Sequence, residues 1–329
     1  MNILLIGPNM HFVAQMLAVF HTLGVRVSYI DDRRNYIIPF LPRNRLIWRA
    51  SRRIRWLRRW NDKLLNALII KRIMRNSFDL VLINKGMTVF PTTLRAIRDR
   101  GIITANWFVD NPNVEEYKYW VDSNASLYDF FFTFYDGVSK GIFLPVGVDN
   151  SFFENLRVNP ASRARYTHKL VFVGAYYPER ESLLSAVQDL DLIIYGSKAW
   201  GASSLGKLYR GSLMPEQFKA VYECSDICIN INAHPPVAGV NLKTFEIPMC
   251  NGFQLSDYRS GLEKLFEIGK EIAVFHDEKE LRIKVEYYLA HPKEREAIRE
   301  AGRKRVLADH TMMQRIRTLL NTIFPNSYV

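Results

Sequence analysis

Gly239-Val240-Asn241-Leu242-Lys243-Thr244-Phe245-Glu246-Ile247-Pro248-Met249-Cys250-Asn251-Gly252-Phe253-Gln254 reads as a polar loop, a short helix, a glycine stop and a new strand. A helix start gathers unpaired backbone N–H groups and the positive end of a dipole, a combination that suits phosphate. Lys243 adds a point charge for the same group. A carboxylate such as Glu246 accepts hydrogen bonds from a pair of sugar hydroxyls. Phosphate beside sugar hydroxyls points to a nucleotide-sugar.

Working outward, the C-terminal half alternates strands and helices. Residues 168–173, 192–195 and 227–231 read as apolar strands, with helices over 179–190 and 215–224 between them. Helices are expected over 261–268, 277–290 and 292–307, and an amphipathic one over 311–324. The N-terminal half repeats the alternation. Strands are expected over 2–6, 25–30, 80–84, 102–108 and 130–134, with helices over 12–23 and 91–100. Strands alternating with helices form a parallel sheet, and ligands sit outside the carboxyl ends of its strands. Gly7–Asn9, Asn84–Gly86 and Asp110–Asn113 fall at such ends. The reading is α/β, with two Rossmann-like domains. Residues 1–150 form the first and 165–310 the second. A C-terminal helix over 311–329 is able to pack back on the first.

Composition bounds the function. The chain has 329 residues and is 48% hydrophobic, enough for a core and near the size at which chains divide. No apolar run reaches the roughly 18 residues of a membrane span, and the first residues read as a buried strand, not a signal peptide. Three cysteines make no disulfide framework, so a reduced, cytoplasmic setting is expected. Cys224, Cys228 and Cys250 lack a fourth ligand for zinc and read as buried thiols. Net charge is +12. Arg43, Arg45, Arg49, Arg52, Arg53, Arg55, Arg58 and Arg59 crowd one segment that also carries Trp48, Trp56 and Trp60. Basic amphipathic helices with tryptophan lie on anionic membranes. Arg49, Arg52, Arg53 and Trp56 are therefore candidates for membrane or acceptor contact, against the reading of a solvated surface helix. A nucleic-acid partner is not expected, because charge alone supports it.

Several segments together resemble glycosyltransferases of the GT-B type, and most of all the CgeB-like (spore maturation protein) group related to glycosyltransferase family 4. Leu144-Pro-Val-Gly-Val-Asp149-Asn-Ser-Phe-Phe153 looks like their inter-domain segment. His168 to Arg180 is similar to the first strand and turn of their donor domain. Tyr209 to Tyr222, with Ser225 to Asn230, resembles their base-binding loop, helix and next strand. Asn241 to Gly252 is the most specific piece, and Trp107-Phe-Val-Asp110-Asn-Pro112 resembles a CgeB-like W-x-x-D-x-P.

The resemblance implies two Rossmann-like domains facing across a cleft. The first would hold the acceptor and the second a UDP-, GDP- or dTDP-sugar. Donor contacts are implied at Gly174, Tyr176, Arg180, Tyr195, Gly196, Arg210, Gly211, Gly239, Asn241, Leu242, Lys243, Thr244 and Glu246. Glu246 matches the second acid of the family 4 pair and would hold the ribose. The first acid's position is occupied by Ala238, and Ala175 stands where family 4 enzymes tend to have arginine. Arg180 or Lys243 is left to supply charge for the diphosphate. GT-B enzymes generally stabilise that leaving group with protein cations, so neither cofactor nor metal is expected.

Asp110 is the candidate base for an acceptor hydroxyl, its competing role being an Asx-turn before Asn111-Pro112. His11 is the second catalytic candidate, against a structural role at a helix start. The expected function is metal-independent sugar transfer to a hydroxyl of a glycan, lipid-linked or protein acceptor, in the cytoplasm and peripheral at the inner face of the membrane. The alternative is an inactive nucleotide-sugar or polyanion binding module on the same scaffold. A nicotinamide dehydrogenase is disfavoured, because neither Gly7-Pro-Asn-Met nor Gly174-Ala-Tyr-Tyr opens a G-x-G-x-x-G.

Overall fold

The structure is a computed structural model. It describes residues 1–34, 36, 54–112, 114–135, 138, 140–232 and 239–325, with the side chains of 11, 116 and 215 left out. The chain divides into two compact units, Met1–Pro145 with Ile316–Val329, and Val146–Arg315.

The first unit opens with β1 (Asn2–Gly7), α1 (His11–Thr22) and β2 (Arg26–Asp31). It continues with α2 (Arg55–Arg75), β3 (Leu80–Asn84), α3 (Pro91–Arg98) and β4 (Ile103–Phe108), then α4 (Glu115–Asn124), β5 (Phe130–Thr133) and β6 (Gly141–Phe143). The sheet runs β2-β1-β3-β4-β5-β6, and every pairing is parallel. β1 and β3 are apolar runs without alternation because helices cover both faces of such a sheet. Ile3, Leu4, Leu5, Ile6 and Leu80 to Ile83 are accordingly fully enclosed. α2 docks through Leu65, Ile69 and Ile73, and α3 through Leu94 and Ile97.

The second unit contains α5 (Asn150–Asn155), α6 (Pro160–Tyr166), β7 (His168–Gly174), α7 (Pro178–Ser185), β8 (Leu192–Gly196), α8 (Pro215–Cys224) and β9 (Ser225–Asn230). It goes on with α9 (Lys243–Met249), β10 (Gln254–Asp257), β11 (Ala273–Phe275), α10 (Glu278–Ala290) and α11 (Pro292–Asp309). A last helix, α12 (Met312–Ile323), starts in this unit and ends in the first. The sheet runs β11-β10-β9-β7-β8, again all parallel. Strand order reverses between β1 and β3 in one sheet and between β7 and β9 in the other. A crevice at the carboxyl ends of the strands opens at such points.

The structure differs from the expected elements in a few places. Residues 261–268 do not form an α-helix; a 3₁₀ turn spans Ser260–Lys264. Two three-residue strands, β6 and β11, and the helices α4, α5 and α6 lie outside the expected elements, α2 runs to Arg75, well past the arginine segment weighed as a surface helix, and the helix expected over 179–190 ends at Ser185. The stop after α9 works differently from a glycine turn. Asn251 takes the left-handed conformation (φ 59°). Gly252 is needed for space, since a Cβ there would lie 2.9 Å from the Tyr222 carbonyl oxygen.

Candidate functional site

In the second unit, Gly174 ends β7 and Asn230 ends β9, on either side of the switch point. Arg180, in the first turn of α7, reaches across it. Its Nη1 donates to the Ala175 carbonyl (2.8 Å), and its Nε and Nη2 donate to the Ile231 carbonyl (3.1 and 2.6 Å). The guanidinium lies over the rings of Phe172 and Tyr177. These contacts hold the guanidinium at the strand ends without a bonded carboxylate among the described residues, and burial lowers its pKa, disfavouring its charged form. A Cβ at Gly174 would lie 3.1 Å from Nη1 and 2.8 Å from the Phe172 ring, which is why glycine stands there.

The loop into α9 is held by a chain of side-chain amides. The Asp257 carboxylate, at the end of β10, accepts from both the Asn232 backbone N–H (2.9 Å) and its Nδ2 (2.7 Å). An acceptor-only group at one end fixes which way round each successive amide must lie. Asn232 turns its Oδ1 to the Asn241 backbone N–H (2.7 Å). Asn241 Nδ2 donates to Asn230 Oδ1 (2.8 Å), and its own Oδ1 accepts from the Thr244 N–H (3.1 Å). Asn230 Nδ2 closes the chain on Thr244 Oγ1 (3.2 Å). Arg259 doubly bonds the other Asp257 oxygen (2.9 and 2.6 Å). Asn230, Asn232, Asp257 and Arg259 were missed by sequence reading. Polar residues closing two neighbouring strands, β9 and β10, were the available signal. The amides of Asn241 and Thr244, expected to meet phosphate, are taken by side chains of this chain.

Lys243 lies on the first turn of α9. Its Nζ is 3.8 Å from a Glu246 carboxylate oxygen and 3.3 Å from the Tyr222 hydroxyl, and 5.1 Å from the centre of the Phe218 ring. Burial lowers its pKa, Glu246 raises it, and Arg180 lowers it further. The charged forms of both are thus disfavoured, Arg180 by burial and Lys243 by burial and by Arg180, which an anion would relieve.

Other expected residues are placed elsewhere. The Tyr195 ring is buried, with its hydroxyl 3.1 Å from His168 Nε2 and its edge on Tyr166. The Tyr176 hydroxyl donates to Glu181 (2.7 Å) and its ring abuts Trp200 edge-on. Arg210 folds onto the carbonyls of Lys207 (2.7 Å) and Tyr209 (3.1 Å). Leu242 is exposed and Gly239 is buried. Gly196 and Gly211 act through backbone, the Gly196 N–H donating to the Gly211 carbonyl (2.9 Å).

In the first unit, Asp110 follows β4 and pairs with Lys85, which follows β3 in a left-handed conformation (φ 64°). Lys85 was not singled out from sequence. His11 opens α1; its side chain is outside the described residues, as are Arg49, Arg52, Arg53 and Ala238. Trp56 stands exposed on α2. A further carboxylate, Asp32, lies at the end of β2. It is 7% exposed, its N–H donates to the Gly7 carbonyl (3.2 Å), and Thr88 Oγ1 donates to its Oδ2 (3.1 Å). Its Oδ1 has no partner among the described residues. Burial pushes its pKa up to about 6, and Thr88, Arg33 and Lys85 offset that only in part. Among the described residues no three His, Cys, Asp or Glu side chains are grouped to hold a metal.

Residues 180–321 match the family model described as glycosyl transferase-like. The spore protein CgeB of Bacillus subtilis (strain 168) is 25% identical over 215 residues, which cover 58% of this chain and 62% of that protein. The match thus spans less than two thirds of that relative's length. Among solved structures, sucrose-phosphate synthase of Thermosynechococcus elongatus superposes with a TM-score of 0.67 at 13% identity, over 99% of this chain and 100% of the other. A glycosyltransferase of Rickettsia africae gives 0.69 at 13%, over 99% of each. Anabaena HepE in complex with UDP-glucose gives 0.67 at 10%, over 99% and 100%. The fold is therefore the GT-B fold of glycosyltransferases, with two Rossmann-like units, and the expected resemblance to the CgeB-like group holds.

Proposed function

We propose that the chain is a glycosyltransferase that moves a sugar from a nucleotide-diphosphate sugar to a hydroxyl of a glycan, lipid-linked or protein acceptor. The observation that carries this is the pair Arg180 and Lys243 beside the β7–β9 switch point, each with its charged form weakened by burial. A diphosphate would lower the free energy of both. In transfer, the bond from the anomeric carbon to the diphosphate oxygen breaks and the electron pair leaves with the nucleotide. Fixed cations stabilise that developing charge, the part a metal plays in other enzymes. On this reading the reaction needs no metal. Glu246 takes the ribose hydroxyls, and the amide chain from Asp257 to Asn241 holds the loop that leads to it. Asp110 is assigned to the proton of the acceptor hydroxyl, with Lys85 sharing its carboxylate. HepE has been solved with UDP and with UDP-glucose, so UDP-sugars come first among the donors to test. A cytoplasmic position at the inner face of the membrane belongs to the same reading.

Calorimetry and thermal shift with UDP, GDP and dTDP test it, because a ligand of the folded state raises stability by mass action. One diphosphate should bind selectively. Glu246→Ala should weaken it by about tenfold or more, the worth of hydrogen bonds to a charged group. Lys243→Met should weaken the diphosphate but leave the bare nucleoside unchanged. Binding that ignores both substitutions would sink the site assignment. Selective binding without turnover on any acceptor would leave a binding module.

A further inference from the structure

The residues of α2 fall into two stripes. One, Leu65, Asn66, Ile69 and Ile73, is buried in the first unit. The opposite one is Trp56, Trp60, Lys63, Ala67, Lys71 and Met74, spaced by four, three, four, four and three residues. That spacing keeps them on one side of a helix, and all six are exposed. Trp56, Trp60 and Met74 are 64, 49 and 63% exposed, three large apolar side chains on one outward line. From Trp56 to Met74 the line runs about 27 Å at 1.5 Å per residue. Beside it, Arg55 and Arg59 are also exposed, and Arg58, Arg72 and Arg75 bring the helix to seven cations against one carboxylate, Asp62.

We propose that this outer face of α2 seats the protein on an anionic lipid surface, with Trp56 and Trp60 entering the headgroup region and Lys63 and Lys71 meeting lipid phosphates. Indole rings settle at the boundary between headgroups and acyl chains, and lysines beside them are drawn to anionic headgroups. No described helix is long and apolar enough to cross a membrane, so the contact is lateral. A nucleic acid fits less well. Readers of single strands set stacking rings in a groove among polar base-reading groups, whereas this stripe is convex and includes Ala67 and Met74 but no Asn, Gln, Ser or Thr. The stripe belongs to the first unit and the switch-point cations to the second, so its test does not depend on the transfer reaction.

The full chain is sedimented with vesicles of phosphatidylcholine, alone or mixed with phosphatidylglycerol, and its tryptophan emission is followed. It should pellet with the mixed vesicles only, with emission shifted to the blue. High salt should weaken the binding without abolishing it, since the indoles are not screened. Trp56→Ser with Trp60→Ser should cut partitioning by about tenfold or more and remove the blue shift, at unchanged Tm. Lys63→Glu with Lys71→Glu should cut it at least as far, each cation near the surface being worth about fivefold. Equal binding to both vesicle types, no binding, or a tryptophan-pair variant that binds like wild type would each overturn the proposal. So would single-stranded RNA that displaces the protein from vesicles at equal concentration, which would assign the stripe to nucleic acid.

Discussion

The Asp32 carboxyl is harder to ionise inside the first unit than in water, and that has a stability consequence with a definite sign. Its pKa rises from 3.8 to about 6 on folding. Between those values the folded state holds a proton that the unfolded state has released, so stability falls as pH rises through the window. The shift corresponds to about 3 kcal/mol lost above the folded pKa. His310 acts oppositely. Burial and Arg315 lower its pKa from 6.5 to about 4, so its contribution is lost as pH falls through that range. Comparing wild type with Asp32→Asn cancels the histidine. The wild-type Tm should drop relative to the variant between pH 4 and 6, with the difference level above about pH 7. Parallel Tm curves from pH 4 to 8 would show that Asp32 is not the group responsible. Lys85 was marked only as part of the strand-end segment Asn84–Gly86, and Asp32 not as a site residue, because each looks like an ordinary polar residue after a strand. Burial beside Thr88, or pairing with Asp110, depends on residues 56 and 25 positions away. Gly174, Asn241, Lys243 and Glu246 were marked by a glycine closing a strand, a short helix after a polar loop and the resemblance, and the structure sets Gly174 and Asn241 beside the β7–β9 strand ends, with Lys243 and Glu246 on α9.

The second sheet's first two strands meet at Gly174 and Gly196, which are neighbours in register. Gly196 has φ +145°, and a Cβ there would lie 1.8 Å from the Gly174 carbonyl oxygen. That oxygen also accepts from Trp200 Nε1 (3.0 Å), so it has little freedom to withdraw. Gly196→Ala should therefore cost more than about 4 kcal/mol or abolish folding, the range reached by severe core clashes. Gly211 also has a positive φ (+98°) but open space around it, so Gly211→Ala should cost about 1–3 kcal/mol, backbone strain alone. Urea unfolding of both variants tests the distinction, and equal losses would refute it. Most of the strands and of the helices of eight residues or more were legible because apolar runs and helical spacing repeat often enough to be seen, but α2 was not, its buried stripe of Leu65, Asn66, Ile69 and Ile73 being diluted by seven cations. β6 and β11 have three residues each, too few for any period. Residues 261–268 looked helical because Leu262, Leu265 and Phe266 are apolar. They are buried by a 3₁₀ turn over Ser260–Lys264 that holds Leu262 and by the irregular residues after it.

Two Rossmann-like units were legible across the whole chain, but chain continuity differs between them. Residues 146–315 are one unbroken stretch, whereas the first unit is completed by residues 316–329. α12 brings to it Ile316, Leu319, Leu320 and Ile323, all at most 5% exposed. Burying four such side chains is worth about 1.5–3 kcal/mol each, as much as the 5–15 kcal/mol of a whole domain's stability. A fragment of residues 1–145 should therefore be unfolded or aggregated. Residues 146–315 should fold alone with a cooperative thermal transition. On the proposed function, that fragment should also bind the preferred nucleotide diphosphate, since Arg180, Lys243, Glu246 and the Asp257 amide chain all lie within it. Circular dichroism melts and calorimetry on the fragment read the two expectations separately. A cooperative fold with no nucleotide affinity would leave the division into units intact and would show that these residues do not suffice for donor binding.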